Sequence, residues 1–300
     1  MRTGHRPPPR GGFTLIELLV VIAILATLVG LTLAGVGRVR SGQYKATTDA
    51  TMKKIQVTLN QQLVTVLEEA NSTKNPHVPL LLQFCDGDLD RTRALVAYLY
   101  CKREFPQTFA EARNPLALPG VGSVPAHKAF AEIPAGASGL TPDQEAAVLL
   151  YMIVVNKGNK GTSANEDAFS GATMTIGNYK AFKDGYGSHL SFARWYGPYN
   201  GTHYSANTDT QLPPFVNPKD PSFDRLDLLG KLRLASWPVS GVTNRNIALG
   251  VLNLPAGSPT ANFDGFNKIL TVISSGPDKA FNTVDDLFGY PLAQFGAKSN

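Results

Sequence analysis

One carboxylate in this sequence lies where a charge is costly. Glu17 stands at the edge of an apolar run, and the 20 residues 18–37 contain no charged side chain. At about 1.5 Å per helical residue, such a run can cross a hydrocarbon core about 30 Å thick. An ionisable side chain in that core costs about 2.5–3.5 kcal/mol on insertion scales, so Glu17 requires a partner.

The simplest partner for Glu17 is a primary amine at the same depth. Cleavage between Gly12 and Phe13 would create one, because the new α-amino group of Phe13 lies four residues before Glu17. Prolines at residues 7–9 keep the preceding segment non-helical and accessible to a protease. The alternatives are an uncut anchor with Glu17 near the membrane interface, or an ordinary secretory signal. The second is disfavoured because its apolar part is shorter and cleavage follows it.

A second group of candidate residues follows an apolar, β-branched segment at residues 269–274. Ser275, Asp278, Asp285 and Asp286 bring hydroxyl and carboxylate oxygens into one short loop. Hard cations such as calcium take about six to eight oxygen ligands, and a turning loop adds backbone carbonyls. The loop contains no His or Cys, which disfavours zinc or copper. The competing interpretation is a solvated turn without metal, since Asp and Asn are common in turns.

Other chemistry is not indicated. The sequence contains no phosphate loop, no Gly-x-Ser-x-Gly and no His-Glu-x-x-His, and its five histidines show no ligand-like pairing. The segment Arg194-Trp195-Tyr196 could stack on a base or a sugar, but we favour packing in a core. The sequence therefore predicts a structural protein and no enzyme.

The distribution of charge indicates how the chain is oriented in the membrane, and the net charge does not indicate nucleic-acid binding. The formal charge of +5 falls to +2 when the three arginines of residues 1–12 are removed. Basic residues before a first membrane span remain cytoplasmic, which places the N-terminus in the cytoplasm. Three basic residues at 38–45 weaken this bias.

The residues Gly12, Phe13, Thr14, Leu15, Ile16 and Glu17 closely resemble the type IV prepilin cleavage and methylation motif. Type IV pilins and the pseudopilins of type II secretion share this motif. The resemblance implies that a prepilin peptidase cuts after Gly12 and N-methylates Phe13. It also implies that Glu17 pairs with the Phe13 amine, chiefly that of a neighbouring subunit in a helical filament.

The acidic loop resembles the calcium loop of the major pseudopilin, whose pattern reads Ser-x-Gly-x-Asp, a short gap and Thr-x-Asp-Asp. The matching residues are Ser274 or Ser275, Gly276, Asp278, Thr283, Asp285 and Asp286. Asn282 replaces the usual Gly, and Asn tolerates a left-handed φ better than most residues. By this resemblance the side-chain ligands of a structural calcium ion are Asp278 and Asp285, followed by Asp286. Carbonyls near Ser275 and Phe281 would complete the shell.

The patterns as a whole predict an α+β, pilin-like fold. A long N-terminal helix, half in the membrane and half amphipathic, packs on a globular head with a small antiparallel sheet. The apolar face of the second half consists of Met52, Ile55, Leu59, Leu63, Val66 and Leu67. The predicted parts are a leader (1–12), a membrane and filament-core helix (13–37), its amphipathic continuation (38–71), a helical and loop-rich insertion (72–181), and a C-terminal sheet with the acidic loop (182–300).

Shorter elements complete the prediction. Residues 88–100 and a segment starting at Thr141 and running to residue 155 should be helical, and residues 106–142 should be loop with short helical pieces. The cysteines are Cys85 and Cys101. A straight helix between them, about 20 Å long, disfavours a disulfide even in an oxidising compartment. The remaining assignments are a turn and strand at 182–192, a loop at 207–221, a helix at 227–234, and strands at 247–252 and 268–274. The 182–192 segment also resembles a pseudopilin turn and strand, with Tyr186 where Trp is usual.

The resemblance implies a structural subunit of a type II secretion pseudopilus-like filament that takes part in protein export. The alternatives are a type IV pilin or minor pilin for adhesion, motility or DNA uptake, and a membrane-anchored extracytoplasmic binding protein or enzyme that does not polymerise. The expected partners are prepilin peptidase, further copies of the chain, other pseudopilins, an inner-membrane assembly platform and lipid, without nucleic acid. The expected location is the inner membrane as a single-pass protein, with the head in the periplasm and the assembled filament in the periplasm or at the cell surface.

Overall fold

The computed structural model of the chain describes residues 15–118, 122–134, 139–157, 163–196, 226–227, 229–232, 237, 269–281, 283 and 285–289. The chain divides into two compact units, Met1–Lys45 and Ala46–Asn300. Helix α1 (Leu15–Asn71) contains residues of both units.

In the first unit, α1 presents an unburied apolar surface. The segment Leu15–Thr32 is long and apolar enough to cross a membrane, and none of it is buried within the protein. The hydroxyls of Thr27 and Thr32 donate to the carbonyls of Ile24 and Leu28, so these polar groups are satisfied inside the helix. Burial against lipid or other chains is therefore the way this surface leaves water.

In the second unit, α1 is amphipathic as predicted. Its buried side chains include Met52, Ile55, Leu59, Leu63 and Val66, and Leu67 is partly buried against the same core. The three- and four-residue spacing places these side chains on one helix face.

The described residues of the second unit contain four further α-helices: α2 (His77–Leu82), α3 (Leu89–Glu104), α4 (Phe109–Arg113) and α5 (Pro142–Tyr151). The predicted start of α5 is confirmed, since Thr141 and Gln144 form a reciprocal capping box and Pro142 occupies the first turn. A π-helical segment, Met152–Lys157, continues α5 two residues beyond the predicted end at residue 155.

Three antiparallel sheets lie among the described residues of the second unit. Strands β1 (Leu116–Leu118) and β2 (Gly122–Val124) form a hairpin, as do β3 (Thr173–Ile176) and β4 (Tyr179–Phe182). Strands β5 (Leu190–Tyr196), β6 (Ile269–Ser274) and β7 (Leu287–Phe288) form a sheet in that order. Helix α5 packs against β4 and β5, and the buried rings of Phe169 and Phe182 lie in contact near it. The α+β class is thus confirmed.

Several element predictions are confirmed and others differ. The helix at 88–100 and the strands within 182–192 and 268–274 are present. The hairpin β1–β2 lies in a stretch predicted as loop and short helix, because strands of three residues are too short to show a period. The described residues of the predicted helix at 227–234 form turns instead, with the Asp227 carboxylate accepting from the Lys231 and Leu232 amides. The predictions at 207–221 and 247–252 lie outside the described residues.

Both cysteines are buried and not joined by a disulfide, and Cys101 lies within α3. Burial raises the pKa of the Cys85 thiol to about 11. Because the thiolate is the reactive form, we expect Cys85 in the folded protein at pH 8 to react with a thiol reagent at least about tenfold more slowly than in the unfolded chain. Thiol titration with and without denaturant measures this. Two thiols that titrate at once in the folded protein, or none after unfolding, would contradict the structure.

Candidate functional sites at the N-terminus and in the acidic loop

The N-terminal site is partly described. Gly12 and Phe13 lie outside the described residues, so their predicted roles stay predictions. Glu17 lies in the first turn of α1, where the positive end of the helix dipole favours a carboxylate. Its neighbours Ile16 and Leu18 are both exposed. The carboxylate therefore belongs to an otherwise apolar, outward-facing surface.

The acidic loop begins with a closed turn at Gly276. This residue has φ of 64°, and a Cβ on it would lie 2.3 Å from the Asp285 carbonyl oxygen. Any other residue at this position would therefore have a strained backbone, and its Cβ would collide with the backbone of Asp285. The close approach brings residues 276 and 285, the two ends of the loop, into contact.

Hydrogen bonds order the carboxylates inside this loop. Asp285 accepts from the Asp278 amide at 3.1 Å and from the Thr283 hydroxyl at 2.7 Å, through different carboxylate oxygens. The Thr283 hydroxyl also lies 3.4 Å from Asp286 Oδ1. The hydrogen bond from Thr283 is the main cause that lowers the pKa of Asp285, so this group is ionised at neutral pH. Asp278 is exposed, whereas Asp286 is buried.

The donor atoms of the loop fit a hard cation better than a transition metal. All side-chain donors are oxygens, and the buried Ser275 Oγ has no hydrogen-bond partner among the described residues. No group of three or more His, Cys, Asp or Glu side chains suited to a metal occurs in the described part of the chain. Carboxylates alone would therefore not complete a shell, and hydroxyl and carbonyl oxygens would have to supply the remainder.

The structure adds a residue that sequence reasoning did not assign to the loop. Asp184, predicted only as part of an Asp-Gly turn, is buried and accepts from the Ser274 hydroxyl at 2.7 Å. The pairing of Leu190 with Ser274 in the β5–β6 ladder brings these two distant segments together. His189 joins them, with its ring centroid 5.2 Å from that of Phe281. An aspartate before an alternating run was the only sequence signal, and it did not reveal the partner.

Comparison with protein families decides the nature of the N-terminal segment. The model of the prokaryotic N-terminal methylation motif matches residues 8–33. This chain carries the signal of type IV pilins and pseudopilins. The matched residues cover the predicted cleavage site, Glu17 and the apolar segment of α1, so this pilin-type signal and the exposed helix coincide. No curated protein and no solved structure matches the chain significantly.

The pilin-type signal and the apolar segment fit a single-pass, membrane-anchored protein whose precursor is processed by a prepilin peptidase. The match ends at residue 33, before the second unit begins. The motif therefore identifies how the chain is anchored and processed, whereas the role of the second unit has to be inferred from its own residues.

Two half-buried histidines predict acid sensitivity of the second unit. Burial is the main cause that lowers the pKa of both His77 and His189 below 6.5. The unfolded chain then binds more protons than the folded protein as the pH falls below about 6.5, so the free energy of unfolding decreases there. We expect the denaturation midpoint of the full chain, in detergent with chelator, to fall between pH 7.5 and 5.5.

The variant His77→Gln/His189→Gln tests the origin of this dependence. Its midpoint should change less than that of the wild type between the same two pH values, whatever its absolute stability. A pH dependence as steep as that of the wild type would show that other groups cause it.

Proposed function

We propose that this chain is a structural subunit of a type II secretion pseudopilus-like filament and takes part in protein export. The observation that supports the filament is the coincidence of the pilin-type signal with Leu15–Thr32, none of which is buried within the protein. A helix that is apolar all round needs lipid or neighbouring helices against it. The precursor would use lipid, and the filament would use the same surface of other subunits.

Processing supplies the charge that assembly needs. The peptidase would cut after Gly12 and methylate the new Phe13 amine, which remains a cation after one methylation. In the filament this amine, chiefly that of a neighbouring subunit, would pair with Glu17. Pairing removes the cost of about 2.5–3.5 kcal/mol that an unpaired carboxylate meets in an apolar layer. Leaving the bilayer for the filament then becomes favourable for the charged group as well as for the apolar surface.

Mass spectrometry and crosslinking test this proposal. Protein from its native host should begin with N-methylated Phe13, and crosslinking should capture multimers. Glu17→Ala should abolish those multimers while the leader is still removed. Glu68→Ala, a change of the same type at an exposed position of α1, serves as the control and should assemble normally. An intact leader on assembled protein, or unaltered multimers of Glu17→Ala, would refute the mechanism.

We further propose that the acidic loop holds a structural calcium ion. Asp278 and Asp285 would be its main side-chain ligands, followed by Asp286, with Ser275 and loop carbonyls as additional oxygen donors. The ion would supply positive charge among carboxylates that otherwise repel one another. The buried Ser275 Oγ, which has no hydrogen-bond partner in the described part of the chain, and the ionised state of Asp285 support the proposal.

Calorimetry on the full chain in detergent micelles tests the calcium proposal. Calcium should bind and raise the melting temperature, because a ligand that binds only the folded state stabilises it. Asp278→Ala and Asp285→Ala should each remove most of the binding and the shift. The control Asp90→Ala, outside the loop on α3, should retain both. A calcium response that persists in both loop variants would refute the site.

The loop also bears on the choice between secretion and a type IV pilus. The pilin-type signal serves both systems, whereas an acidic loop of this pattern favours a pseudopilin by resemblance. Helices α2–α5 add material to the head beyond what a short major pseudopilin contains, which favours a minor or tip-located subunit in either system. Genes for a secretion ATPase and a secretin beside this one would support the secretion role, and a gene cluster for surface pili would contradict it.

A further inference from the structure

A single buried carboxylate connects the start of the acidic loop to a turn beside α1. Asp184 is 4% exposed and uses both oxygens. One oxygen accepts from the Ser274 hydroxyl at 2.7 Å, and the other accepts from the Tyr186 and Ser188 amides at 2.9 and 2.8 Å. Ser274 Oγ in turn accepts from the Gly276 amide at 3.2 Å. The first turn of the loop is therefore tied to the turn at residues 184–188.

The same turn is tied to α1 on its other side. The Gly185 amide donates to Thr48 Oγ1 at 2.9 Å, and Thr48 is fully buried in α1. Thr48 lies two residues after Ala46, where the second unit begins. Hydrogen bonds thus connect Gly276 to Ser274, Ser274 to Asp184, and Gly185, the residue after Asp184, to Thr48.

A second contact, between His189 and Phe281, also connects the acidic loop to the segment that follows the Asp184 turn. Leu190 pairs with Ser274 at the end of the antiparallel ladder, and His189 immediately precedes Leu190 in the chain. The His189 ring contacts Phe281, which belongs to the acidic loop. The loop is therefore held to the strand that follows the Asp184 turn at two places.

Ordering of the acidic loop restricts the motion of the turn at residues 184–188, because the hydrogen bonds between them are buried and directional. Hydrogen bonds to an ionised carboxylate are about twice as strong as neutral ones, and burial strengthens them further. Displacing Ser274 would leave Asp184 with one fewer donor, which is costly for a buried charge. The loop and the turn consequently cannot move independently at low cost.

We propose that Asp184 is a positioning residue for the acidic loop, and that Asp184 and Thr48 couple the loop to α1. An ordered loop holds Ser274 against Asp184, Asp184 holds the turn, and the Gly185 amide holds Thr48. Opening of α1 at residues 46–54 is therefore slower when the loop is ordered. The inference rests on the proposed calcium site only in taking calcium as the ion that orders the loop.

Hydrogen exchange with mass spectrometry tests the coupling on the full chain in detergent micelles. Exchange of peptides that cover residues 46–54 is compared in calcium chloride and in EDTA, and calcium binding is measured on the same samples. In the wild type we expect hydrogen exchange at residues 46–54 to be on the order of tenfold slower in calcium chloride than in EDTA, which corresponds to a coupling free energy of ordinary size. Thr48→Val, which keeps the shape but removes the hydroxyl, should lose this difference while still binding calcium. Thr48→Ser, which keeps the hydroxyl, should retain it.

Failure of the coupling and failure of the calcium site give different results. Calcium binding without any change of exchange at residues 46–54 would overturn the coupling and leave the site standing, as would a full calcium effect in Thr48→Val. If the wild type binds no calcium, the calcium site fails and Ser274→Ala without cation decides the coupling. Faster exchange at residues 46–54 in that variant supports it, and unchanged exchange overturns it.

Discussion

Glu111→Ala should destabilise the protein by about 3–5 kcal/mol, because it removes a carboxylate that is ion-paired with a buried guanidinium. Arg194 is 1% exposed, and its side chain lies 3.0 Å from the Glu111 carboxylate. Lys102 lies 3.8 Å from the same carboxylate oxygen. The other oxygen accepts from the Gln107 amide at 2.9 Å. One truncation thus removes a carboxylate that lies beside two cations and that accepts a hydrogen bond from a backbone amide.

Chemical denaturation of the full chain in detergent measures this effect through the change in midpoint at constant slope. Glu132→Ala is the matched control, since Glu132 is exposed, and it should change the free energy of unfolding by less than about 0.5 kcal/mol. Glu111→Gln should fall between the two because it keeps an oxygen acceptor without the charge. A loss below about 1 kcal/mol for Glu111→Ala would mean that water reaches Arg194, against its burial.

Gln56→Leu should cost about 2–6 kcal/mol for a different reason. The Gln56 side-chain amide donates to the Leu270 carbonyl at 2.7 Å, and its oxygen accepts from the Val272 amide at 3.3 Å. It therefore bonds to β6 as a neighbouring strand would, just beyond the pairing with the short strand β7. A leucine would leave two buried backbone groups unpaired, at about 1–3 kcal/mol each.

The matched control for this variant is Gln61→Leu, an exposed glutamine on the same helix, which should change stability by less than about 0.5 kcal/mol. Hydrogen exchange adds a local readout, because the Val272 amide should lose protection in Gln56→Leu while the α1 amides around residue 61 keep theirs. Equal stability of the two variants would show that the Gln56 bonds contribute nothing.

The same glutamine shows where sequence reasoning fails. Its position off the apolar stripe of α1 predicts exposure, and the stripe itself was predicted correctly from spacing. A polar side chain can be buried wherever its hydrogen bonds are met, and those partners lie more than 200 residues away in the chain. Periodicity reports which face is apolar and contains no information about distant polar partners.

Arg194 gives a second example. Its place in a basic and aromatic segment allowed either ligand stacking or packing, and only the ion pair with Glu111 decided in favour of burial. The Asp184 turn gives a third, since an Asp-Gly pair predicts a turn but not the Ser274 hydroxyl that its carboxylate binds. For Gln56 and Asp184 a local signal predicted the backbone correctly, and in all three examples the side-chain partner was not predicted.

The sequence by itself determined the features that depend on neighbouring residues. These are the pilin-type signal, the apolar helix that carries Glu17, the amphipathic face of α1, the capped start of α5 and the tight turn at Gly276. Each follows from spacing, capping or backbone conformation within about one or two helical turns.

Only the tertiary structure decided which distant groups meet. The register of β5 against β6 brings the acidic loop to Asp184, and Asp184 to α1 through Gly185 and Thr48. Such pairings arise because buried polar groups must find partners wherever the folded chain places them, and the order of residues along the chain does not record that choice.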